Sequence, residues 1–296
     1  CAVGLLCLTP FALPAFADGA QDNKAENVRK VPPPGITVPA EVKEELSKGI
    51  AQLGSEIESL KASLKPSQKE LLPDVQIYHN AVRYALQYGE FFNVNELNTA
   101  KRLLEQGMER AKALSEGNAP WTTQTGLVVR GYVSKIDGSV QPYGLVVPPS
   151  YSANSPFKHR LDIWFHGRGE VLSEVNFLRE HQSYAGEFTP QNAFVLHPYG
   201  RYCNANKLAG EVDTFEAMEH VKKHYPIDDN RVSVRGFSMG GAACWQFAVH
   251  FPGDWVAAAP GAGFSETADF LKVFQNEKVQ PTWYEKALWH VYDCTD

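Results

Sequence analysis

The sequence predicts an α/β fold: a mostly parallel sheet flanked by helices, with a helical region ahead of it. Three observations predict this. From residue 121 onward, short apolar runs alternate with helix-patterned stretches, as they do when parallel strands are joined by crossover helices. Before that point, Leu46, Ile50, Leu53, Ile57, Leu60 and Leu64 recur at three- and four-residue steps and describe one helical stripe. Finally, the apolar run 231–234 leads into a serine crowded by Gly236, Gly240 and Gly241, followed by small, helix-compatible residues. The bulk numbers agree with a globular chain. Of its 296 residues, 44% are hydrophobic and 21% charged, the balance of one large domain with an appendage. The net charge of −6 and the absence of a Lys/Arg-rich block argue against nucleic acid or an anionic membrane as partner.

Residues 1–17 carry no charge, are interrupted by Pro10 and Pro14, and end in Ala15-Phe16-Ala17 before Asp18. They are too short for a membrane span and read as the tail of a secretory signal peptide. The protein is therefore expected to be exported, periplasmic or secreted. Neither a basic leader nor an initiating Met precedes the tail, so the sequence is expected to start late. Export permits a disulfide, and beyond the leader Cys203, Cys244 and Cys294 remain. Cys244 reads as a packed small residue, and a Cys203–Cys294 bridge is left open. Residues 18–40, ending in "VPPPGITVP", are a linker by composition. The helical accessory region spans 41–118: a first helix from Val42 to Leu64 stopped by Pro66, a second over about 68–88, and a third over 96–114. Asn95 is expected to cap the third, and Gly117 and Pro120 to close it. Its expected role is structural.

Residues 121–296 form the α/β domain. A hairpin turns at Asp137-Gly138, and strands follow at 161–165, 193–197, 231–234 and 255–259. Phe215, Met218 and Val221, with Ala217, mark a helix between the second and third of these runs. Asp228-Asp229-Asn230 reads as a turn before its strand. His220 and His224 share a helix face without a third ligand or a glutamate between them, so a solvated face is expected there, not a metal site.

Ligands of open α/β sheets collect beyond the carboxyl ends of the strands. There Gly236-Phe237-Ser238-Met239-Gly240 fits G-x-S-x-G between a strand and a helix. A nucleophilic hydroxyl must project from a tight corner, so flanking Gly236 and Gly240 keep backbone clear of side chains. The helix beginning at Met239 turns N–H groups toward the site, and Met239 N–H is one expected oxyanion donor. His166-Gly167-Arg168-Gly169 ends an earlier strand. Gly167 lets that loop approach, and Arg168 N–H is the expected second donor. His166, His197, Tyr199 and Arg201 are expected to line the pocket, with Tyr199, Arg201 and Tyr202 holding a substrate carboxylate or stacking on a ring. For His197 a purely structural role is equally open. Residues 260–264 are a candidate further wall. No phosphate loop, dinucleotide fingerprint or zinc cysteine cluster occurs in the sequence, so no cofactor is expected.

"LDIWFHGRGE", "FVLHPYG" and "PIDDNRVSVRGFSMGGAACWQFAVHFPGDWVAAAPGAG" resemble the α/β-hydrolase superfamily. They look most like the prolyl-oligopeptidase-type catalytic domain and its secreted esterase relatives, over about residues 125–296. The resemblance implies a Ser–His–acid triad in the chain order Ser, Asp, His, a peptide or small-molecule substrate, and an acyl-enzyme on Ser238. Only the serine and the oxyanion loop carry over. The family's fold needs two more strands after 255–259, and no apolar run follows Phe264. The acid and the histidine are therefore expected beyond Asp296, and these 296 residues alone are expected to be inactive. An alternative closes the triad with Asp269 (or Glu266) and His290. Peptidase and carboxylesterase of the acetyl or feruloyl type share this machinery, and both stay open. So does a non-catalytic binding protein on the same fold.

Overall fold

The computed structural model describes residues 30–273 and 281–295. The expected leader at 1–17 and most of the expected linker lie outside the described residues. Val31–Phe264 form one compact unit, and the described residues from Ser265 onward belong to a second.

In the first unit, α1 (Ala40–Ser63) buries Leu46, Leu53, Ile57 and Leu60, the stripe read from the sequence. Pro66 opens a single turn, α2 (Pro66–Lys69), and Pro73 opens α3 (Pro73–Tyr88), which ends at left-handed Gly89. The predicted second helix is thus broken at its start. Proline fits the first turn of a helix but not its interior, and two helices begin where one was expected. The next helix, α4 (Asn95–Ser115), has Val94 at its cap position, so Asn95 does not cap it. Asn93 accepts the Asn95 N–H through its side chain at 3.0 Å. Buried Glu96 accepts from the Phe92 N–H and the Asn93 amide, both at 2.6 Å. A carboxylate in the first turn suits the positive end of the helix dipole.

The sheet has six strands in the order β1-β2-β4-β3-β5-β6. They are β1 (Gly126–Val133), β2 (Val140–Val147), β3 (His159–Phe165), β4 (Ala193–Pro198), β5 (Ile227–Phe237) and β6 (Ala257–Gly261). The β1–β2 hairpin runs antiparallel and turns where Asp137-Gly138 predicts, and β2 is antiparallel to β4. β4, β3, β5 and β6 are parallel. Helices α5 (Glu174–Ser183), α6 (Ala209–His224) and α7 (Met239–His250) make the crossovers. This is the mostly parallel sheet flanked by helices expected from the sequence.

Two local readings change. Asp228–Asn230 belong to β5, but the ladder slips between His159/Ile227 and Leu161/Val232, so the segment bulges out of register. Its turn character survives in the Asn230 N–H donated to Asp228 Oδ1 at 3.1 Å. The His220/His224 face is not solvated. Both rings are half-buried, and Tyr143 Oη meets His220 Nδ1 at 2.9 Å. Burial depresses the His220 pKa to about 3, which keeps this ring neutral at physiological pH.

The helical region is bound to the sheet through a buried ion pair. Arg130 of β1 and Asp74 of α3 both have side chains at 0% exposure. Arg130 Nε donates to both Asp74 oxygens at 2.9 Å, the Trp121 indole to Oδ2 at 2.9 Å, and the Gly131 N–H to Oδ1 at 2.8 Å. At the far side, β6 pairs only with β5 among the described residues, and Ala257, Ala258 and Ala259 are exposed beside Val256. Parallel strands are ordinarily covered on both faces, and open edges template pairing. The isolated chain is therefore expected to self-associate with rising concentration. A monomer at every concentration in sedimentation velocity would contradict this.

In the second unit, α8 (Thr267–Val273) and α9 (Trp283–Tyr292) are joined by Asp293, whose carboxylate accepts from the Thr267 N–H and hydroxyl. Thr282 and Glu285 form a capping box on α9.

Candidate active site

The register places the carboxyl ends of three strands level: Phe165 pairs with Gly236, and Gly236 with Pro260. Beyond that line β5 turns into α7 at Ser238, whose φ of 58° and ψ of −121° lie in a region L-residues rarely adopt. Such a conformation costs on the order of 1–3 kcal/mol. Packing explains why the chain accepts it. A Cβ at Gly236 would stand 2.2 Å from the Gly240 carbonyl oxygen, and one at Gly240 would stand 2.0 Å from the Phe165 oxygen. Both residues must be glycine for the helix to start this close to the sheet. The turn is held from behind, where the Ser238 N–H donates to the Gly261 oxygen at 2.8 Å. Residues 260–264 thus support the corner as well as bordering it.

The result is an exposed serine on a constrained corner. Its Oγ has no hydrogen-bond partner among the described residues. The N–H groups of Met239, Gly240 and Gly241 likewise meet no acceptor among the described residues; the first bond of α7 is Ala242 N–H to the Ser238 oxygen, at 3.1 Å. Three orphan donors at a helix start favour negative charge beside Ser238. The Met239 N–H is therefore free for the part the sequence assigned it.

The 166–170 loop reaches this corner. A Cβ at Gly167 would stand 3.7 Å from the Phe237 oxygen. Arg168 turns its guanidinium outward onto Glu170 at 2.7 Å, leaving its backbone N–H without a partner among the described residues. The flanking peptide is pinned. Cys203 Sγ accepts from the Gly169 N–H at 3.0 Å and donates to the Gly169 oxygen at 2.7 Å, while Tyr202 Oη donates to the Glu170 oxygen at 2.5 Å. Cys203 thus carries no disulfide. Sequence reasoning assigned no such clamp, because nothing in the spacing of residues 169 and 203 indicates that two loops meet.

The four expected pocket residues divide. His166 lies in the loop, but its ring nitrogens face the Gly167 oxygen at 2.9 Å and the Tyr199 oxygen at 3.2 Å, not Ser238. His197 is buried against His181, with ring centroids 4.6 Å apart. Burial, then the neighbouring His166, depresses its pKa to about 4, which suits a structural neutral ring. Arg201 is committed: it pairs with Asp213 and Asp137, each at 2.6 Å, and donates to Ser134 Oγ at 3.1 Å. This fastens its loop to the hairpin instead of offering a guanidinium to a substrate. The same loop holds Arg201, Ala205, Asn206 and Leu208 at positive φ, and Leu208 repeats the Ser238 angles with φ 56° and ψ −125°. Backbone strain of this kind gathers at functional sites.

Tyr199 and Arg201 instead border a cavity of about 250 Å³ that the helical region helps to build, with Tyr84, Tyr88, Glu90 and Glu174. Glu174 Oε2 is buried without a partner. Burial, then the charge of Glu90, raises the Glu174 pKa to about 8. The folded state therefore holds a proton that the unfolded chain releases near the ordinary value of 4.5. Stability is expected to fall as pH rises from about 4.5 to 8, and Glu174→Gln is expected to remove that slope. Urea unfolding across this range measures it, and parallel slopes in both proteins would refute it.

Of the alternative triad, His290 lies within α9 and Asp269 within α8, on helices instead of strand-end loops.

Neither a known family model nor a curated protein matches the chain by sequence. Among solved structures it is similar to the fluorophosphonate-binding serine hydrolase F of Staphylococcus aureus (18% identity, TM-score 0.41, covering 51% of this chain and 62% of that one). It is also similar to a ferulic acid esterase of Anaeromyces mucronatus (14% identity, TM-score 0.34, 50% and 63%). A third similarity is to prolyl endopeptidases (16% identity, TM-score 0.40, 56% and 26%). The chain spans less than two thirds of the length of each.

Proposed function

We propose that the protein is an exported serine hydrolase of the prolyl-oligopeptidase and esterase type that cleaves a peptide or carboxylic ester bond through an acyl-enzyme on Ser238. The observation that carries this reading is the corner itself: an exposed hydroxyl held at φ 58°, with unpaired helix N–H groups beside it and the loop at Gly167 close to the Phe237 oxygen. Ser238 Oγ attacks the carbonyl carbon, its proton passes to a base, and the carbonyl oxygen gains charge facing the Met239 and Arg168 N–H groups. The leaving amine or alcohol takes the proton, and water then releases the acid. No described side chain hydrogen-bonds Oγ, and this reading leaves the base and its supporting acid unassigned.

A fluorophosphonate probe on the full-length protein tests the reading. Labelling at Ser238, lost in Ser238→Ala, supports it. An unlabelled serine in folded protein would favour a binding protein on the same fold. Panels of acyl-peptides and of aryl and acetyl esters then separate peptidase from esterase. Because Cys203 fixes the peptide next to the Arg168 donor, Cys203→Ala is expected to lower kcat between about ten- and a hundredfold, as a modest misplacement of a catalytic group does. KM should change little. A kcat within twofold of the parent would show that the loop holds its shape without the clamp.

A further inference from the structure

At the end of the sheet opposite Ser238, a cavity of about 450 Å³ opens where β3 and β4 begin and β5 bulges. His159 opens β3 and Phe165 closes it beside Gly236. At about 3.3 Å per residue the cavity lies roughly 20 Å from the serine corner. Its chemistry is of one sign. Lys158, His159, Arg160 and Arg231 line it, with Asn192 and Phe157, and no carboxylate does, although the whole chain carries a net charge of −6. Arg160 is partly neutralised by buried Asp162 at 2.7 Å. Lys158 and Arg231 form no ion pair among the described residues, so two unpaired cations face one hollow.

His159 adds an unmet hydrogen bond. The residue is only 6% exposed. Its Nδ1 lies 3.3 Å from the Asn192 carbonyl oxygen, which only accepts, so Nδ1 carries the hydrogen. Nε2 is buried and meets nothing in the protein. An unsatisfied buried polar atom is costly, and a ligand that supplies its partner recovers that cost. Phe157, 74% exposed, presents an aromatic face on the same wall. The volume falls in the range of about 300–1,000 Å³ typical of small-molecule sites, more than a bare oxyanion fills.

We propose that this cavity binds a phosphate monoester carried on a small ring-bearing molecule, the phosphate between Lys158, Arg231 and His159 and the ring against Phe157. As its monoanion, the phosphate accepts from Lys158 and Arg231 through its charged oxygens and donates its P–OH to the bare His159 Nε2, a combination that a carboxylate, which only accepts, does not offer. The site is separate from Ser238, and its test does not depend on hydrolase activity.

Isothermal titration of the full-length protein at fixed ionic strength, with phenyl phosphate, inorganic phosphate and phenol as probes, decides it. Phenyl phosphate is expected to bind one to one and about tenfold or more tighter than inorganic phosphate, and phenol not at all. The Lys158→Ala/Arg231→Ala double variant should weaken phenyl phosphate by about tenfold or more. Phe157→Ala should erase the preference for phenyl phosphate over inorganic phosphate. An unchanged melting temperature checks that the variants fold. Absence of saturable binding by both phosphates, or undiminished affinity in the double variant, would overturn the site. Equal affinity for the two phosphates would overturn the ring-bearing ligand.

Discussion

Ser238→Ala is expected to lower ester or peptide turnover by the full-length protein about 10⁶-fold, with substrate binding little changed. The loss is that large because the other parts of the corner act only through the bond Oγ makes. Without the hydroxyl, the Met239 and Arg168 N–H groups still polarise a bound carbonyl, but water must attack it, and residual rates of this kind owe everything to binding and the oxyanion donors. Steady-state kcat and KM on whichever substrate class the full-length protein cleaves give the answer. A loss of less than about tenfold would remove Ser238 from the chemistry. Ser238→Gly separates geometry from catalysis. Glycine occupies φ 58° without a Cβ, so this variant is expected to be equally inactive yet more stable than the parent, by on the order of 1–3 kcal/mol. If Ser238→Gly is less stable than Ser238→Ala, the corner stores no strain.

Much of this corner was legible because local constraints wrote it. Gly236 and Gly240 are glycines for close approach of backbone to backbone, and a requirement that severe leaves a mark in sequence. Short apolar runs located β3, β4 and the end of β5, because parallel strands covered on both faces favour such a composition. What could not be read depends on contacts between distant residues. Arg201 was a free guanidinium in sequence, but Asp137 and Asp213, 64 and 12 residues away, claim it. The 220/224 face reads as solvated because its own helix is polar there, while the Tyr143 hydroxyl that meets His220 arrives from β2. The break at Pro73 has a different origin: the apolar pattern of the expected 68–88 helix continues through it, and only the proline, which opens α3, interrupts the backbone. The base that would serve Ser238 has no local signature: of the nine histidines only His290 has a place in a triad, as the alternative with Asp269, and it lies within helix α9.

Asp74 is the least conspicuous of these long-range residues and the one whose loss should matter most for stability. Asp74→Ala is expected to cost about 3–5 kcal/mol, the range for removing one partner of a buried ion pair. The carboxylate lies at 0% exposure and accepts from Arg130, Trp121 and the Gly131 N–H. Without it, a wholly buried guanidinium and two further donors lose their acceptor. The cost belongs to the orphaned charge and not to the pair as such. Asp74→Leu/Arg130→Met, which removes both charges at similar volume, is therefore expected to recover most of the loss. The pH dependence carries the same signature. Burial pushes the Asp74 pKa up, but Arg130, then Arg110, and the hydrogen bonds outweigh it and hold the carboxyl below its ordinary 3.8. The unfolded chain then binds a proton near 3.8 that the folded chain refuses until the pH is lower. This contribution is complete above about pH 4 and drains away as pH falls through the folded value. Urea unfolding between about pH 2 and 7 should show the parent losing stability at the acid end and the double variant losing less. An Asp74→Ala protein within about 1 kcal/mol of the parent would mean that apolar contacts between α3 and β1 hold the helical region to the sheet without the ion pair.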